Sequence, residues 1–225
     1  MSGLLTVTRA TLANGLRLEW RSKDAINAVL FFALLVVVIF SFSFEPTAEE
    51  SRQIIGGLAW VAVLFSAVVA LNQAWVREMR NQVLDAWRVS PVPANAFFLG
   101  KALGNFLFVL AVEALMAPLF IVLYDLRALG PAHLLIYIFL LGTWALVVCG
   151  TFFAALSLRT RARELMLPLV LFPFSIPAVL AMVSATTAVL TGEGSARLAI
   201  EFLAVYDVVF TTVSLLLFES VLHAE

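Results

Sequence analysis

The sequence predicts an all-α integral membrane protein with six transmembrane helices. Of its 225 residues, 63% are hydrophobic and only 13% are charged, whereas soluble domains are about half apolar and about a quarter charged. The apolar runs are about 20 residues or longer, which is enough to cross a bilayer core of about 30 Å. They also lack the period-two alternation of membrane strands. We therefore expect a helical bundle with short loops and no soluble domain.

The six apolar runs are separated by polar or charged segments. We expect spans at residues 25–44, 54–75, 96–124, 132–158, 165–190 and 202–222, all within a single transmembrane domain of residues 1–225. The third run is too long for one straight span, and Pro118 is a candidate kink. Pro168, Pro173 and Pro177 each remove an amide donor from the fifth run. We expect this helix to be bent or locally broken, either as a hinge or as a re-entrant hairpin.

Lysine and arginine residues are distributed unequally between the two sides of these spans. One side carries Arg9, Arg17, Arg21, Lys23, Arg77, Arg80, Arg88, Lys101, Arg159, Arg161 and Arg163, and the other carries Arg52, Arg127 and Arg197. Cytoplasmic loops carry the excess of these cations. The bias predicts that both termini and the loop after the second span lie in the cytoplasm.

The segment before the first span, residues 1–24, has amphipathic helical spacing. Leu12, Leu16 and Trp20 fall on one face at intervals of four residues, and Arg17 and Arg21 lie on the polar side. This pattern predicts a helix in the membrane interface, with its cations toward anionic lipid. The alternative is a simple topology anchor, because positive charges are common in this position.

The loop Arg77–Pro93 carries charges of both signs around an apolar stripe. Val83, Leu84, Trp87 and Val89 are its apolar positions, and a proline follows closely. This arrangement is typical of a short helix that docks into a groove on a partner. An ordinary solvated loop is the alternative.

Motifs along most of the chain share the order and spacing of one known family. They are Glu78, Asn81, Leu84-Asp85 and Ser90-Pro91-Val92, then Phe98-Leu99-Gly100-Lys101, Val112-Glu113, Pro118-Leu119-Phe120, Thr160-Arg161-Ala162-Arg163-Glu164, Leu167-Pro168, Phe172-Pro173, Pro177, Ala185-Thr186, Tyr206-Asp207-Val208, Phe210 and Leu215-Leu216-Leu217-Phe218-Glu219. With them the chain resembles the heme exporter B family (CcmB), the membrane subunit of the cytochrome c maturation ABC transporter. More broadly, it resembles a type-2 ABC exporter permease. Arg80 stands where the family usually has a second acid, and Gln82 where it often has glycine.

The resemblance implies roles for both amphipathic segments. Residues Asn81–Val89 would form a coupling helix seated on a cytoplasmic ABC ATPase, and the N-terminal segment would be an elbow helix. The implied coupling residues are Glu78, Asn81, Leu84, Asp85, Trp87, Arg88, Ser90 and Pro91, and those of the elbow helix are Leu12, Leu16, Arg17, Trp20 and Arg21.

The resemblance also implies a permease function and a set of partners. The partners are two copies of the ATPase, a second copy of this chain, other cytochrome c maturation membrane subunits and a periplasmic heme chaperone. The site of action would be the bacterial inner membrane, where ATP hydrolysis is coupled to release of the heme-loaded chaperone, to heme export, or to both. One alternative is a type-2 exporter of a lipid, polysaccharide or drug; another is a non-transporting assembly scaffold. We expect the chain to contact the lipid bilayer. We do not expect it to bind nucleic acid.

The residues suggest no catalytic or metal site in this chain. The segment Asn95–Ala102 lacks both the first glycine and the final Ser/Thr of a phosphate-binding GxxxxGK[ST] loop, and we expect Lys101 to extend to the interface. ATP would therefore be hydrolysed on the partner. His133 and His223 lie at opposite faces, so they predict no shared heme site. No cofactor is assigned to this chain, and heme handling by the complex rests on the resemblance.

Two acids lie inside apolar runs: Glu113 near the middle of the third span and Asp207 in the last. A charge at such depth is costly, so each is expected to face protein, water or a cation. They line a pathway or contact a partner in one interpretation. In the other, they make interhelical hydrogen bonds that fix the packing.

Overall fold

The computed structural model of the chain describes residues 2–21, 27, 31, 34–40, 42, 49–80, 93–124, 127–157 and 163–223, and within these ranges the regular structure is helical. The helices with defined bounds are α1 Ser2–Arg21, α2 Glu49–Arg80, α3 Ala94–Leu123, α4 His133–Ser157, α5 Arg163–Thr191 and α6 Arg197–His223. Residues 34–40 are also helical.

Five stretches within these helices are long and apolar enough to cross a membrane. They are Arg52–Val76, Ala94–Leu123, His133–Ser157, Leu165–Thr191 and Arg197–Val221. An all-α, multi-pass membrane protein is thereby confirmed. The predicted first span, residues 25–44, lies mostly outside the described residues, so the count of six stays a prediction.

Short connections join α3 to α4 and α5 to α6. The loop before α4 lies against the end of α5, where Gly130 N donates to Val189 O at 2.9 Å and Leu129 N to Leu190 O at 3.3 Å. The turn before α6 contains Gly192 and Gly194 with φ of 73° and 80°, a region that L side chains rarely adopt. The start of α3 and the ends of α2 and α6 form one end of the bundle, which we call the α1 end. The turns described above share the other end, which we call the opposite end.

Two apolar clusters fill the bundle. The larger one joins α2, α3, α4, α5 and α6 through buried side chains that include Trp60, Phe97, Leu146, Leu171 and Leu203. The smaller one joins α2, α3 and the helical residues 34–40, and it includes Val37, Ile55, Phe108, Met116 and Tyr124. The Tyr124 hydroxyl donates to the Val37 carbonyl at 3.0 Å. This bond places residues 34–40 beside the end of α3.

Helix α1 packs against the start of α3. The Thr8 hydroxyl donates to the Ala96 carbonyl at 3.2 Å. A Cβ atom on Gly100 would lie 2.6 Å from Thr11 Cβ and 2.9 Å from the Thr8 carbonyl oxygen. The absence of a side chain at Gly100 therefore permits this close approach. The elbow role of α1 stays a prediction.

Two sequence-based expectations about helix continuity are wrong. The first placed Arg77 in a loop, but α2 continues through it to Arg80. The second was that the fifth span is bent or locally broken. Helix α5 runs unbroken from Arg163 to Thr191 through its three prolines, so the break and the re-entrant hairpin are wrong, and the bend stays a prediction. Side chains supply polar partners along α5: Ser175 Oγ donates to Phe172 O at 3.1 Å and Tyr206 Oη to Phe174 O at 2.8 Å.

The contact between α1 and α3 predicts an unusual response to alanine. In an exposed helix Gly→Ala is stabilising by about 0.5–1 kcal/mol, but at Gly100 the new methyl group meets α1. We expect Gly100→Ala to lower the Tm of the purified protein and to accelerate proteolysis of α1, since overpacking costs about 1–3 kcal/mol. Gly104→Ala is the matched control, because its Cβ would meet only Leu12 Cδ1, at 3.9 Å. Equal Tm values for the two variants would contradict the packing.

Candidate functional site

A buried ion pair joins the end of α2 to the beginning of α3. Glu78 lies in the last turn of α2, and Lys101 lies in the second turn of α3. Lys101 Nζ is 2.7 Å from Glu78 Oε1, and the two side chains are 6% and 9% exposed respectively. Nζ also donates to the Ala74 carbonyl at 3.4 Å and lies 5.8 Å from the ring centroid of Trp75. The ion pair thus links the two ends of the connection 81–92.

Burial of Lys101 overturns the expectation that it extends to the interface. A buried ammonium group is costly without a partner, and Glu78 together with the Ala74 carbonyl meets that need. The sequence contained a signal that was missed: an acid and a base stand at the apolar borders of the same loop. Their pairing was not evident because 23 positions separate them.

Aromatic rings extend the contact to α6. Trp75 of α2 meets Phe97 of α3 edge-on, with centroids 6.2 Å apart, and Phe98 lies 5.0 Å from Phe218 of α6. We call Trp75, Glu78, Phe97, Phe98, Lys101 and Phe218 the α1-end junction. Helix α1 packs one face of α3 at Gly100, next to Lys101. Four helices therefore meet at this junction.

The structure describes only part of the two predicted amphipathic sites. Of the coupling residues, Glu78 is buried at the junction, whereas Asn81, Leu84, Asp85, Trp87, Arg88, Ser90 and Pro91 lie outside the described residues. In α1, Leu12 and Leu16 are half-buried and Arg17 is exposed, and the side chains of Trp20 and Arg21 lie outside the described part. Their functional roles stay predictions.

Glu113 is buried near the middle of the bundle and bonds to α4. Its carboxyl group is 2.6 and 2.8 Å, through Oε1 and Oε2, from Thr143 Oγ1. A hydroxyl has one proton and so donates to one of these oxygens at a time. Glu113 also lines a cavity of about 290 Å³ between α2, α3, α4 and α5. Glu113 thus makes an interhelical hydrogen bond, as one interpretation expected, and a role in lining a pathway or contacting a partner stays a prediction.

Asp207 lies in a different setting. It is buried in α6, and within the described residues neither carboxyl oxygen has a hydrogen-bond partner. Its neighbour Tyr206 donates to Phe174 O, which leaves the Tyr206 oxygen to accept from the Cys149 thiol at 3.3 Å. Asp207 is not among the residues that line the Glu113 cavity. The two acids are therefore not brought into one site.

The described side chains contain no group of three His, Cys, Asp or Glu residues placed to hold a metal ion. Pro168, Pro173 and Pro177 lie within α5, and Pro168 and Pro173 flank the buried Leu171, which belongs to the larger cluster. Their hinge role stays a prediction.

Comparison with known proteins gives one consistent result. Residues 6–223 match the family described as CcmB protein. Heme exporter protein B of Rhodobacter capsulatus is 34% identical over 173 residues, which cover 76% of this chain and 78% of that protein. The proteins of the same name from Paracoccus denitrificans and Pseudomonas aeruginosa are each 31% identical, over 76% of this chain and 78% and 76% of their own lengths.

The buried ion pair predicts a characteristic set of stabilities. Lys101→Met leaves the Glu78 carboxylate buried without its partner, and breaking such a pair costs about 3–5 kcal/mol. Glu78→Met is expected to be destabilising as well, because it leaves the Lys101 ammonium group buried without its partner. We expect the double variant Glu78→Met/Lys101→Met to recover most of the lost Tm, because two apolar side chains of similar length leave no buried charge.

The exposed pair Arg197–Glu201, also at 2.7 Å, provides the control. Because water already solvates both groups, Glu201→Gln is expected to leave the Tm almost unchanged. Wild-type stability of Lys101→Met would show that the Glu78–Lys101 pair is not buried in the folded protein.

Proposed function

This chain belongs to the CcmB protein family, which confirms the resemblance seen in its sequence, and we propose that it is the transmembrane permease subunit of a heme-related ABC transporter in cytochrome c biogenesis. The observation that carries the proposal is the family match over residues 6–223. The relatives are named heme exporter protein B, and five long apolar helices suit a membrane subunit. ATP hydrolysis is assigned to a separate cytoplasmic ABC ATPase.

The α1 end is the proposed cytoplasmic face. Arg9 and Arg17 of α1, Arg77 and Arg80 of α2 and Lys101 of α3 all belong to this end. The opposite end has Arg52, Arg127 and Arg197. The positive-inside rule then assigns both termini to the cytoplasm, in the bacterial inner membrane.

The connection 81–92 is the proposed coupling segment, with Asn81, Leu84, Asp85, Trp87, Arg88, Ser90 and Pro91 facing the ATPase. Glu78 acts differently in this proposal. Because its carboxylate is paired with Lys101, it fixes the distance between the two ends of the segment and does not contact the ATPase.

Motion of the ATPase reaches the membrane through the α1-end junction. A push on the coupling segment moves the ends of α2 and α3 together, since the ion pair joins them. Helix α1 follows through its contact at Gly100, and α6 follows through Phe98 and Phe218. Movement of the helix ends as a unit delivers strain to the opposite end.

This motion is proposed to drive release of a heme-loaded periplasmic chaperone, heme export, or both. Two permease copies and two ATPases form the core, because five or six spans make up half of the usual transporter core. Other cytochrome c maturation membrane subunits complete the complex. Heme is handled by that complex, with no heme ligand assigned to this chain.

The first test is purification of the tagged chain from its own membranes, followed by an ATPase assay. We expect an ABC ATPase to copurify with the wild-type chain, and Asp85→Lys to abolish binding or uncouple hydrolysis, because it reverses a charge in the coupling segment. Glu201→Lys is the control: it reverses an exposed acid of α6 near the opposite end and is expected to leave both binding and hydrolysis intact.

The outcomes separate the alternatives. Copurified cytochrome c maturation subunits support the proposed pathway, whereas an ATPase with lipid or polysaccharide enzymes supports another type-2 exporter. A chain that binds partners equally well whether or not ATP is hydrolysed is a scaffold. If no ATPase copurifies with the wild-type chain, the permease proposal is wrong.

A further inference from the structure

Among the described residues that line it, the cavity beside Glu113 has a single ionisable group. Its volume is about 290 Å³, and its walls come from α2, α3, α4, α5 and the loop before α4. Apolar side chains such as Ile55, Met116, Phe120 and Phe139 form most of the surface. The polar side chains are Glu113 and Thr186, and the Thr186 oxygen already accepts a bond from Trp60 Nε1 at 2.8 Å. Glu113 is therefore the group that gives this cavity its chemical character.

No cationic side chain in the described part of the chain pairs with Glu113. Its partner there is Thr143, a neutral hydroxyl that can serve one carboxyl oxygen at a time. By contrast, the buried acid Glu78, in the last turn of α2, is paired with Lys101. An ionised carboxylate among apolar residues needs a counter-charge. At Glu113 there is space for a ligand to supply it.

The shape of the cavity limits what can enter. It runs from Glu113 past Phe120 toward Ile121 and Ala132, which are exposed near the opposite end. Glu113 and Phe120 are seven positions apart on α3, which corresponds to about 10 Å along the helix. A bound molecule would thus present a charged group inward and an apolar body outward. A hydrated metal ion does not fit this arrangement, because beyond Glu113 the described side chains of the wall offer it one oxygen, Thr186 Oγ1, which already accepts a bond from Trp60.

We propose that this cavity binds a small amphiphilic cation, with a primary ammonium group on the Glu113 carboxylate and a compact apolar body against Met116, Phe120 and Phe139. A charge-assisted hydrogen bond to the carboxylate fixes the orientation of the ligand. The apolar body supplies most of the favourable burial. We assign entry to the opposite end, where the lining residues Ile121 and Ala132 are exposed.

The test uses two probes that differ only in charge: 4-(trifluoromethyl)benzylamine and 4-(trifluoromethyl)benzyl alcohol. Each is titrated against the purified chain, with any copurifying subunits retained, in a neutral detergent and followed by fluorine NMR. We expect the amine to bind the wild-type protein more tightly than the alcohol. Glu113→Gln should weaken amine binding by about tenfold or more while leaving alcohol binding nearly unchanged, since it removes the charge and keeps the shape.

Two further variants make the result specific. Asp207→Asn removes a buried carboxylate outside the cavity and is expected to leave the binding of both probes unchanged. Ala59→Leu places a larger side chain in the cavity wall and is expected to weaken both. If Glu113→Gln does not fold, Ala59→Leu still tests whether the two probes bind in this cavity.

Equal binding of amine and alcohol to the wild-type chain would overturn the proposal. So would an unchanged amine affinity in Glu113→Gln, or an equal loss in Asp207→Asn, which would indicate a general effect of charge. The titration contains no ATP and requires no ATPase. Its outcome is thus independent of the transporter role, and either conclusion can fail without the other.

Discussion

In the hydrocarbon core of a membrane, no water is available to satisfy a backbone amide or carbonyl group. A segment that crosses the core must form these bonds internally, and the helix is the structure that does so within one segment. The long helices α2 to α6 follow from this constraint, and so does the continuity of α5. Its prolines remove three amide donors, yet the helix persists from Arg163 to Thr191. Breaking it would expose further backbone groups to lipid, and hydroxyl donors from Ser175 and Tyr206 bond carbonyls in the same stretch.

The same constraint governs the buried polar side chains, each of which needs a hydrogen-bond partner within the protein, and several find it on another helix. Asn105 of α3 donates to Thr151 of α4 at 3.0 Å, and Trp144 of α4 donates to Thr211 of α6 at 3.0 Å. Glu78–Lys101 and Glu113–Thr143 obey the same rule, the first as an ion pair and the second as a bond between a carboxyl group and a hydroxyl. These bonds are directional, so they fix which helices are neighbours and at what height. Apolar contacts fix these less strongly, because lipid tails are as apolar as leucine side chains. Among the described residues, Thr11, Ser66, Trp75, Asn95 and Asp207 have buried side-chain atoms that depart from the rule, and Asp207 is the acid in this group. A buried acid without a partner is a reason to look for function at that position.

The two ends of the bundle have different chemistry. At the α1 end, the ion pair, the aromatic rings and the glycine contact join four helices into one unit, which suits the transmission of force. Toward the opposite end, α2, α3, α4 and α5 separate enough to leave a cavity beside Glu113. Close packing transmits displacement because packed side chains have little free volume. An open region can instead admit a ligand. Both features occur in one chain of 225 residues.

The sequence by itself determined the class of fold, the family and the five spans that the structure describes. It could do so because apolar runs and the order of motifs are read directly along the chain. It also located Glu113 and Asp207 as acids inside spans. Only the tertiary structure decided what those acids contact, because Thr143 and Glu113 are 30 positions apart and lie on different helices. It likewise decided that Lys101 is buried against Glu78, and that Gly100 is where α1 meets α3. Hydropathy reports how deep a residue lies in the membrane, but the side that it faces is set by packing against neighbouring helices.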